Sequence, residues 1–246
     1  FLFQLFNIPS QDFLVGSWRD HLPYSKVNQV VSIGEIYYAA TPYSIIEFDN
    51  SSNEIRKLST VNGLNEIGIS CIIANESEEA LLIAYNSSNL DLIKKNGEII
   101  NISAILNSSI IGDKTIYNLY SYGKYIYVCT GFGIVVIDLD KEEIQDTYII
   151  GDNNSQVVVK DLHISNDTIY ALTDNEIKYA PLNNPFLADY NIWNKIYLPS
   201  GSIINKLESN GNQFFAHGNL NIVLRYSNNN WDTIINYPNQ ILRNFK

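Results

Sequence analysis

Five short apolar runs, spaced almost evenly along the chain, constrain its fold more than any other feature of the sequence. They are Glu35-Ile36-Tyr37-Tyr38-Ala39, Ala80-Leu81-Leu82-Ile83-Ala84, Tyr125-Ile126-Tyr127-Val128-Cys129, Thr168-Ile169-Tyr170-Ala171-Leu172 and Gln213-Phe214-Phe215-Ala216-His217. Their second residues fall at 36, 81, 126, 169 and 214, so the intervals are 45, 45, 43 and 45 residues. A fixed period of this length marks a repeat architecture, in which each unit buries its faces against its neighbours. The same grammar recurs inside each unit. In the first, Val27–Ile33 precedes a turn at Gly34, Glu35–Ala40 leads to a tight turn at Thr41–Ser44, and Ile45–Asp49 is joined to Glu54–Ser59 through Asn50–Asn53. The third repeats it with Tyr117–Ser121, Tyr125–Thr130, Gly133–Leu139 and Glu143–Ile149. Four short strands bounded by Gly-, Asn-, Ser- and Asp-rich turns, without long helical periodicity, predict a four-stranded antiparallel blade. Stacked about an axis, such blades form an all-β propeller, which buries both faces of every sheet and leaves only short edges.

The chain is therefore read as one β-propeller domain over residues 1–246, with blades at about 27–60, 67–104, 115–150, 157–198 and 203–236. Trp18, Trp193 and Trp231 occupy similar positions in outermost strands. Residues 13–22 are accordingly expected to form an outer strand that closes the ring, and 238–246 to begin a further blade of a larger propeller. Phe1–Ile8 reads as a first strand or the remnant of an export signal. The sequence contains no Met, so a segment upstream is expected to have been removed.

Composition narrows the partners. Hydrophobic residues make up 46%, supplied chiefly by Ile, Val, Tyr and Phe, which suit a pleated, half-buried surface. A net charge of −10 repels phosphate backbones and anionic headgroups, so nucleic acid is not expected as a partner, nor an anionic membrane surface as the main one. The chain has no apolar run long enough for a transmembrane helix. Cys71 and Cys129 sit in apolar runs and read as small buried hydrophobes rather than a disulfide scaffold.

Catalytic signatures are thin. His21, His163 and His217 fall in no metal-ligand spacing, and no nucleophile elbow or phosphate-binding Gly loop is present, so no metal and no cofactor are expected. His163, in the inner strand of its unit, reads as a hydrogen-bonded structural residue. Asp138-Leu139-Asp140-Lys141-Glu142 lacks calcium-loop spacing and reads as a turn. The turns between second and third strands gather aromatic, amide and carboxylate side chains with almost no Lys or Arg, a surface suited to sugar rings or peptides. Tyr43, Tyr85, Phe132, Asp174 and His217 are the ligand-contacting residues expected from those turns.

Three segments carry a family resemblance. Asn62-Gly63-Leu64-Asn65-Glu66-Ile67, leading into Ile69–Ala74, resembles the opening of two-component-regulator propeller repeats, and Thr130-Gly131-Phe132-Gly133-Ile134 resembles a second element of those repeats. Gly16-Ser17-Trp18-Arg19-Asp20-His21-Leu22-Pro23-Tyr24 is similar to the start of the propeller in the PorZ family, surface accessory proteins of type IX secretion in Bacteroidetes. The resemblance covers roughly residues 10 to 240, although several units lack the family's Asp-Gly-x-x-Trp turn. It implies a non-enzymatic exported module at the outer-membrane surface or in the periplasm of a Gram-negative bacterium, binding glycan, lipopolysaccharide or another surface protein. The alternative it implies is the periplasmic, oligosaccharide-sensing propeller of a hybrid two-component regulator. A propeller enzyme would need two carboxylates or a His/Tyr pair at the axis, and the sequence marks out no such pair.

Overall fold

A computed structural model describes residues 22, 24–210, 213–218 and 222–236. The expected closing strand (apart from Leu22), Trp18, His21, the segment Phe1–Ile8 and the expected further blade at 238–246 lie outside the described residues.

The described chain is all-β: five antiparallel four-stranded sheets, each with its strands in chain order. The first blade holds β1 (Gln29–Ile33), β2 (Ile36–Ala40), β3 (Ile45–Asp49) and β4 (Glu54–Leu58). The second holds β5 (Ile69–Asn75), β6 (Ala80–Tyr85), β7 (Leu90–Ile93) and β8 (Ile99–Ile102). The third holds β9 (Ile116–Tyr122), β10 (Tyr125–Thr130), β11 (Gly133–Asp138) and β12 (Glu143–Tyr148). The fourth holds β13 (Asp161–Ser165), β14 (Thr168–Leu172), β15 (Glu176–Pro181) and β16 (Asn194–Tyr197). The fifth holds β17 (Ile204–Asn210), β18 (Gln213–Gly218), β19 (Ile222–Ser227) and β20 (Asn230–Asn236). The period-45 runs read from the sequence are thus the second strands. Each blade's first strand packs beside the next one's, β1 on β5, β5 on β9, β9 on β13 and β13 on β17, which makes these the innermost strands.

Alternation of side chains along a strand sends successive residues to opposite faces of a sheet, and here both faces are core. In β6, Leu81, Ile83 and Tyr85 pack with the first blade, whereas Ala80, Leu82 and Ala84 pack with the third. In β10, Ile126 and Val128 face the second blade, and Tyr127 and Cys129 face the fourth. That is why these strands read as continuous apolar runs rather than as an alternating pattern. The outermost strands behave differently: all of β4 except Leu58 is exposed. Cys129 is buried, as expected, but Cys71 is only half-buried, packed against the core between the second and third blades. Burial raises the Cys71 thiol to about 11, so it stays protonated near neutral pH.

Candidate functional site

The turns between second and third strands share one face with the linkers that run from each fourth strand to the next first strand, and backbone bonds stitch the two together. Gly68 N–H donates to Pro42 O (2.8 Å), Asn86 N–H to Gly68 O (2.8 Å), Gly131 N–H to Thr115 O (3.1 Å) and Val159 N–H to Thr130 O (3.0 Å). A buried Thr opens three of the turns. Thr41 Oγ1 accepts from the backbone N–H of Tyr43 and Ser44, Thr130 Oγ1 donates to Gly133 O at 2.9 Å, and Thr173 Oγ1 donates to Glu176 O at 2.8 Å. The second blade departs from this pattern. There Tyr85 takes the Thr position, and its hydroxyl donates to Asp91 at 2.6 Å. The buried Asp91 carboxylate also accepts from Asn65 N–H and Nδ2 (both 2.8 Å) and from Asn101 Nδ2 (2.9 Å).

The five residues expected to contact a ligand fall into two groups. Tyr43 stands 39% exposed at the tip of its turn, Asp174 is 60% exposed and paired with Lys160 at 2.7 Å, and His217 is half-buried near the end of β18. Tyr85 and Phe132 are corrected: both are buried in blade–blade cores, where they support the turns from beneath and present nothing to solvent. Turn position alone does not expose a side chain when neighbouring blades close over it. The linkers supply surface groups that the sequence reading passed over. Glu66 accepts from Ser87 Oγ and Asn89 Nδ2. Asp113 accepts from Thr115 N–H and from the hydroxyl of the exposed Tyr117, both at 2.8 Å, and these bonds hold its carboxyl below its usual pKa.

A second set lines the centre, and of it the sequence reading names only Cys71 and His163. The strand registers place Val30, Cys71, Asn118, Asp161 and Lys206 at one level of the innermost strands. Ser32, Ile73, Tyr120, His163 and Glu208 form the next level. These side chains reach from blade to blade. Asn118 Nδ2 donates to Asp161, which also accepts from Leu207 N–H (2.8 Å) and lies 3.6 Å from Lys206 Nζ. His163 Nε2 meets Ser209 Oγ at 2.7 Å, its Nδ1 lies 3.9 Å from Glu208, and the edge-on Tyr120 ring is 5.7 Å away. The Tyr120 hydroxyl donates to Ile164 O at 3.4 Å. Burial lowers the His163 pKa, with Asp161 opposing, and burial raises that of Asp161, with Lys206 opposing. A His/Tyr pair and two carboxylates therefore do meet at the centre; of these the sequence singled out only His163, and as a hydrogen-bonded structural residue, which is how it stands here. Their donors and acceptors are engaged in joining the third, fourth and fifth blades. The signal that finds them is alignment of first strands by their register with the second strands; side-chain type alone, which differs at every repeat, does not. Among the described residues no group of His, Cys, Asp and Glu is arranged to hold a metal ion.

A family profile for the N-terminal β-propeller domain of PorZ, of type IX secretion, matches residues 26–194. Among solved structures, the chain superimposes on PorZ of Porphyromonas gingivalis, described as an essential bacterial surface component of the type IX secretion system, with a TM-score of 0.75 and 22% identity. That match covers 86% of this chain and 28% of the PorZ chain, so the present sequence spans less than a third of that protein's length. It also superimposes on the WD40 domain of Neurospora crassa Pan2, with a TM-score of 0.56, 13% identity, and coverage of 84% and 64% of the two chains. No curated protein sequence matches it.

Proposed function

The chain belongs to the family of PorZ N-terminal β-propeller domains, and from that membership we propose that it is a non-enzymatic, exported binding module that supports type IX secretion at the cell surface. The observation that carries this reading is the family match, which runs unbroken from the start of the first blade into the last strand of the fourth. Two further features support it. The stitched turn face holds its exposed groups on a rigid base, as a binding surface requires. Tyr43, Tyr117, Asp174 and His217 there combine aromatic rings with charged and hydrogen-bonding groups, a mixture that can stack on a sugar ring or anchor a protein loop. The ligand class is a glycan, lipopolysaccharide included, or a surface protein, with Tyr43, Asp174 and His217 as contacts. No helix among the described residues is long and apolar enough to cross a membrane.

The test is an in-frame deletion of the gene in its source bacterium, with type IX cargo assayed at the cell surface and antibody to this segment used on cell fractions of the parent strain. Loss of surface cargo, restored by the intact gene, together with a species far heavier than 27.9 kDa in the outer membrane, supports the proposal. Unchanged cargo, or a heavy species confined to the inner membrane, overturns it.

A further inference from the structure

The seams between blades differ in what their facing strands present. Between the second and third blades, Leu82 and Leu92 face Ile126 and Ile137, and all four are at most 1% exposed. Between the third and fourth, Tyr127 and Val136 face Ile169 and Ala180, none more than 5% exposed. At the corresponding places between the fourth and fifth, Tyr170 and Tyr179 stand opposite Phe214 and Tyr226. Of these only Phe214 is buried, and the three tyrosines are half-buried. A row that is sealed at two seams is therefore aromatic and open to solvent at this one.

The strand registers extend the row outward from the centre. The fourth blade presents His163, Tyr170, Tyr179 and Asn194, and the fifth presents Ser209, Phe214, Tyr226 and Trp231. The inner end is shut where His163 Nε2 meets Ser209 Oγ. Beyond it the Tyr170 ring centre lies 4.2 Å from that of Phe214 and 5.8 Å from that of Tyr179, which it stacks upon, and Tyr226 lies 5.0 Å from Trp231. At the outer end the exposed Asn194 faces the half-buried Trp231, whose indole N–H donates to Tyr197 O at 2.9 Å and so fixes the ring. One level deeper, Leu172, Ile177, Leu207 and Leu224 are buried and form the base. The result is a furrow on the side of the seam nearer the turns between first and second strands. Neither row holds Lys, Arg, Asp or Glu.

We propose that this furrow binds a proline-rich segment of a protein partner in the polyproline conformation, with prolines three residues apart resting on Tyr170 and Trp231. A lining without Lys, Arg, Asp or Glu gives neither a basic nor an acidic segment an advantage. The strands β14, β15, β18 and β19 are paired on both sides, so their main chain cannot take up an added strand. A polyproline segment asks for none. It has no internal hydrogen bonds and its prolines have no N–H, so it needs flat surfaces for its rings and donors for its carbonyls. Tyrosine hydroxyls supply those donors, and that of Tyr226 now reaches Asn229 at only 3.4 Å. Spacing agrees as well. Rings two strands apart, as the second-strand Tyr170 and the fourth-strand Trp231 are, lie about 10 Å apart along the furrow. A polyproline helix returns to the same side after three residues, about 9 Å. The furrow lies away from the turn face and does not depend on the secretion role.

The experiment titrates the intact chain with capped decaproline, a capped Gly-Ser peptide of equal length, and cellohexaose, using indole fluorescence and amide chemical-shift mapping. Saturable binding is expected for decaproline, weaker by about tenfold for the Gly-Ser peptide, and unchanged by added salt. The shifts should centre on Tyr170, Tyr179, Tyr226 and Trp231. Trp231→Ala should weaken binding about tenfold while leaving the circular dichroism spectrum unchanged. If that variant fails to fold, the shift map of the unaltered chain decides. No saturation at millimolar decaproline, equal binding of the Gly-Ser peptide, or shifts centred elsewhere overturns the proposal. Cellohexaose binding at these residues in place of decaproline overturns it too, and assigns the furrow to a glycan.

Discussion

Asp91 shows what one buried charge asks of its surroundings. A carboxylate without water must be met by donors, and Asp91 has four: the Tyr85 hydroxyl, both donors of Asn65 and the Asn101 amide. Removing the acceptor strands all of them. Asp91→Ala is expected to cost about 2–4 kcal/mol in urea denaturation, and Tyr85→Phe, which deletes one donor of several, about 1–2 kcal/mol. Equal costs for the two would show that the network fails as a unit when any one donor is lost. Asp152 poses the complementary case at the surface. Lys195 and then Lys178 hold its carboxyl down to about 2, and Lys178 is itself a buried lysine directly opposite Lys195 in the strand ladder. Shared acceptors, Asp152 and Glu176, make that like-charge pair tolerable. A depressed carboxylate pKa stabilises the fold above the unfolded value, and that contribution is lost as pH falls through the folded value. The melting temperature of Asp152→Asn should therefore lie below that of the parent by a constant margin above about pH 5, closing toward pH 2. A margin that stays unchanged down to pH 2 would show that the two lysines do not hold the carboxylate in solution.

Within a blade, the turns decide where each strand starts, and two glycines separate the reasons for needing one. Gly34 has φ 54° with open space around a hypothetical Cβ, so Gly34→Ala should cost only the left-handed strain, about 1 kcal/mol. Gly133 has φ 146°, and a Cβ there would lie 2.2 Å from Tyr148 O, a backbone atom of β12 that cannot swing aside. Gly133→Ala should cost about 2–3 kcal/mol or more and loosen the β11–β12 hairpin, visible as faster amide exchange over Ile134–Val136. Comparable losses at the two sites would mean that the hairpin relaxes around the added methyl. Elements of this kind were legible in the sequence because Gly, Asn and the Thr-led turns recur at a fixed offset from an apolar run. The site was less so. Tyr85 and Phe132 looked like surface residues because turns are usually exposed, yet here adjoining blades cover them. His163 was legible as a hydrogen-bonded inner-strand residue, but its neighbours Asn118, Tyr120, Asp161 and Lys206 stayed hidden, since these central residues are related by two adjacent levels of the ladder rather than by residue type.

At the scale of the molecule, the sequence period reappears as the spacing of contacts. Gln29 bonds to Ile72 across 43 residues, Asn75 to Ser121 across 46, Asn118 to Asp161 across 43, Tyr120 to Ile164 across 44 and His163 to Ser209 across 46. Each blade is therefore tied to the next at similar places, and the described cores are separate inter-blade layers rather than one interior. In such a stacked array, stability is a sum of blade terms and nearest-neighbour interface terms. Leu82 and Val128 share the core between the second and third blades, whereas Val136 lies in the core between the third and fourth. Each truncation to Ala should cost about 1–4 kcal/mol through the cavity it leaves. Leu82→Ala combined with Val136→Ala acts on two different layers, with the third sheet standing between them, so their losses should add to within about 0.5 kcal/mol. Leu82→Ala with Val128→Ala opens two voids in one layer, where relaxation around the first changes the second, and these should depart from additivity by more than about 0.5 kcal/mol. Denaturant titrations of the two double-mutant cycles decide the matter. Coupling in the first cycle as large as in the second would mean that the third blade transmits strain from face to face, and the array would then respond as one body.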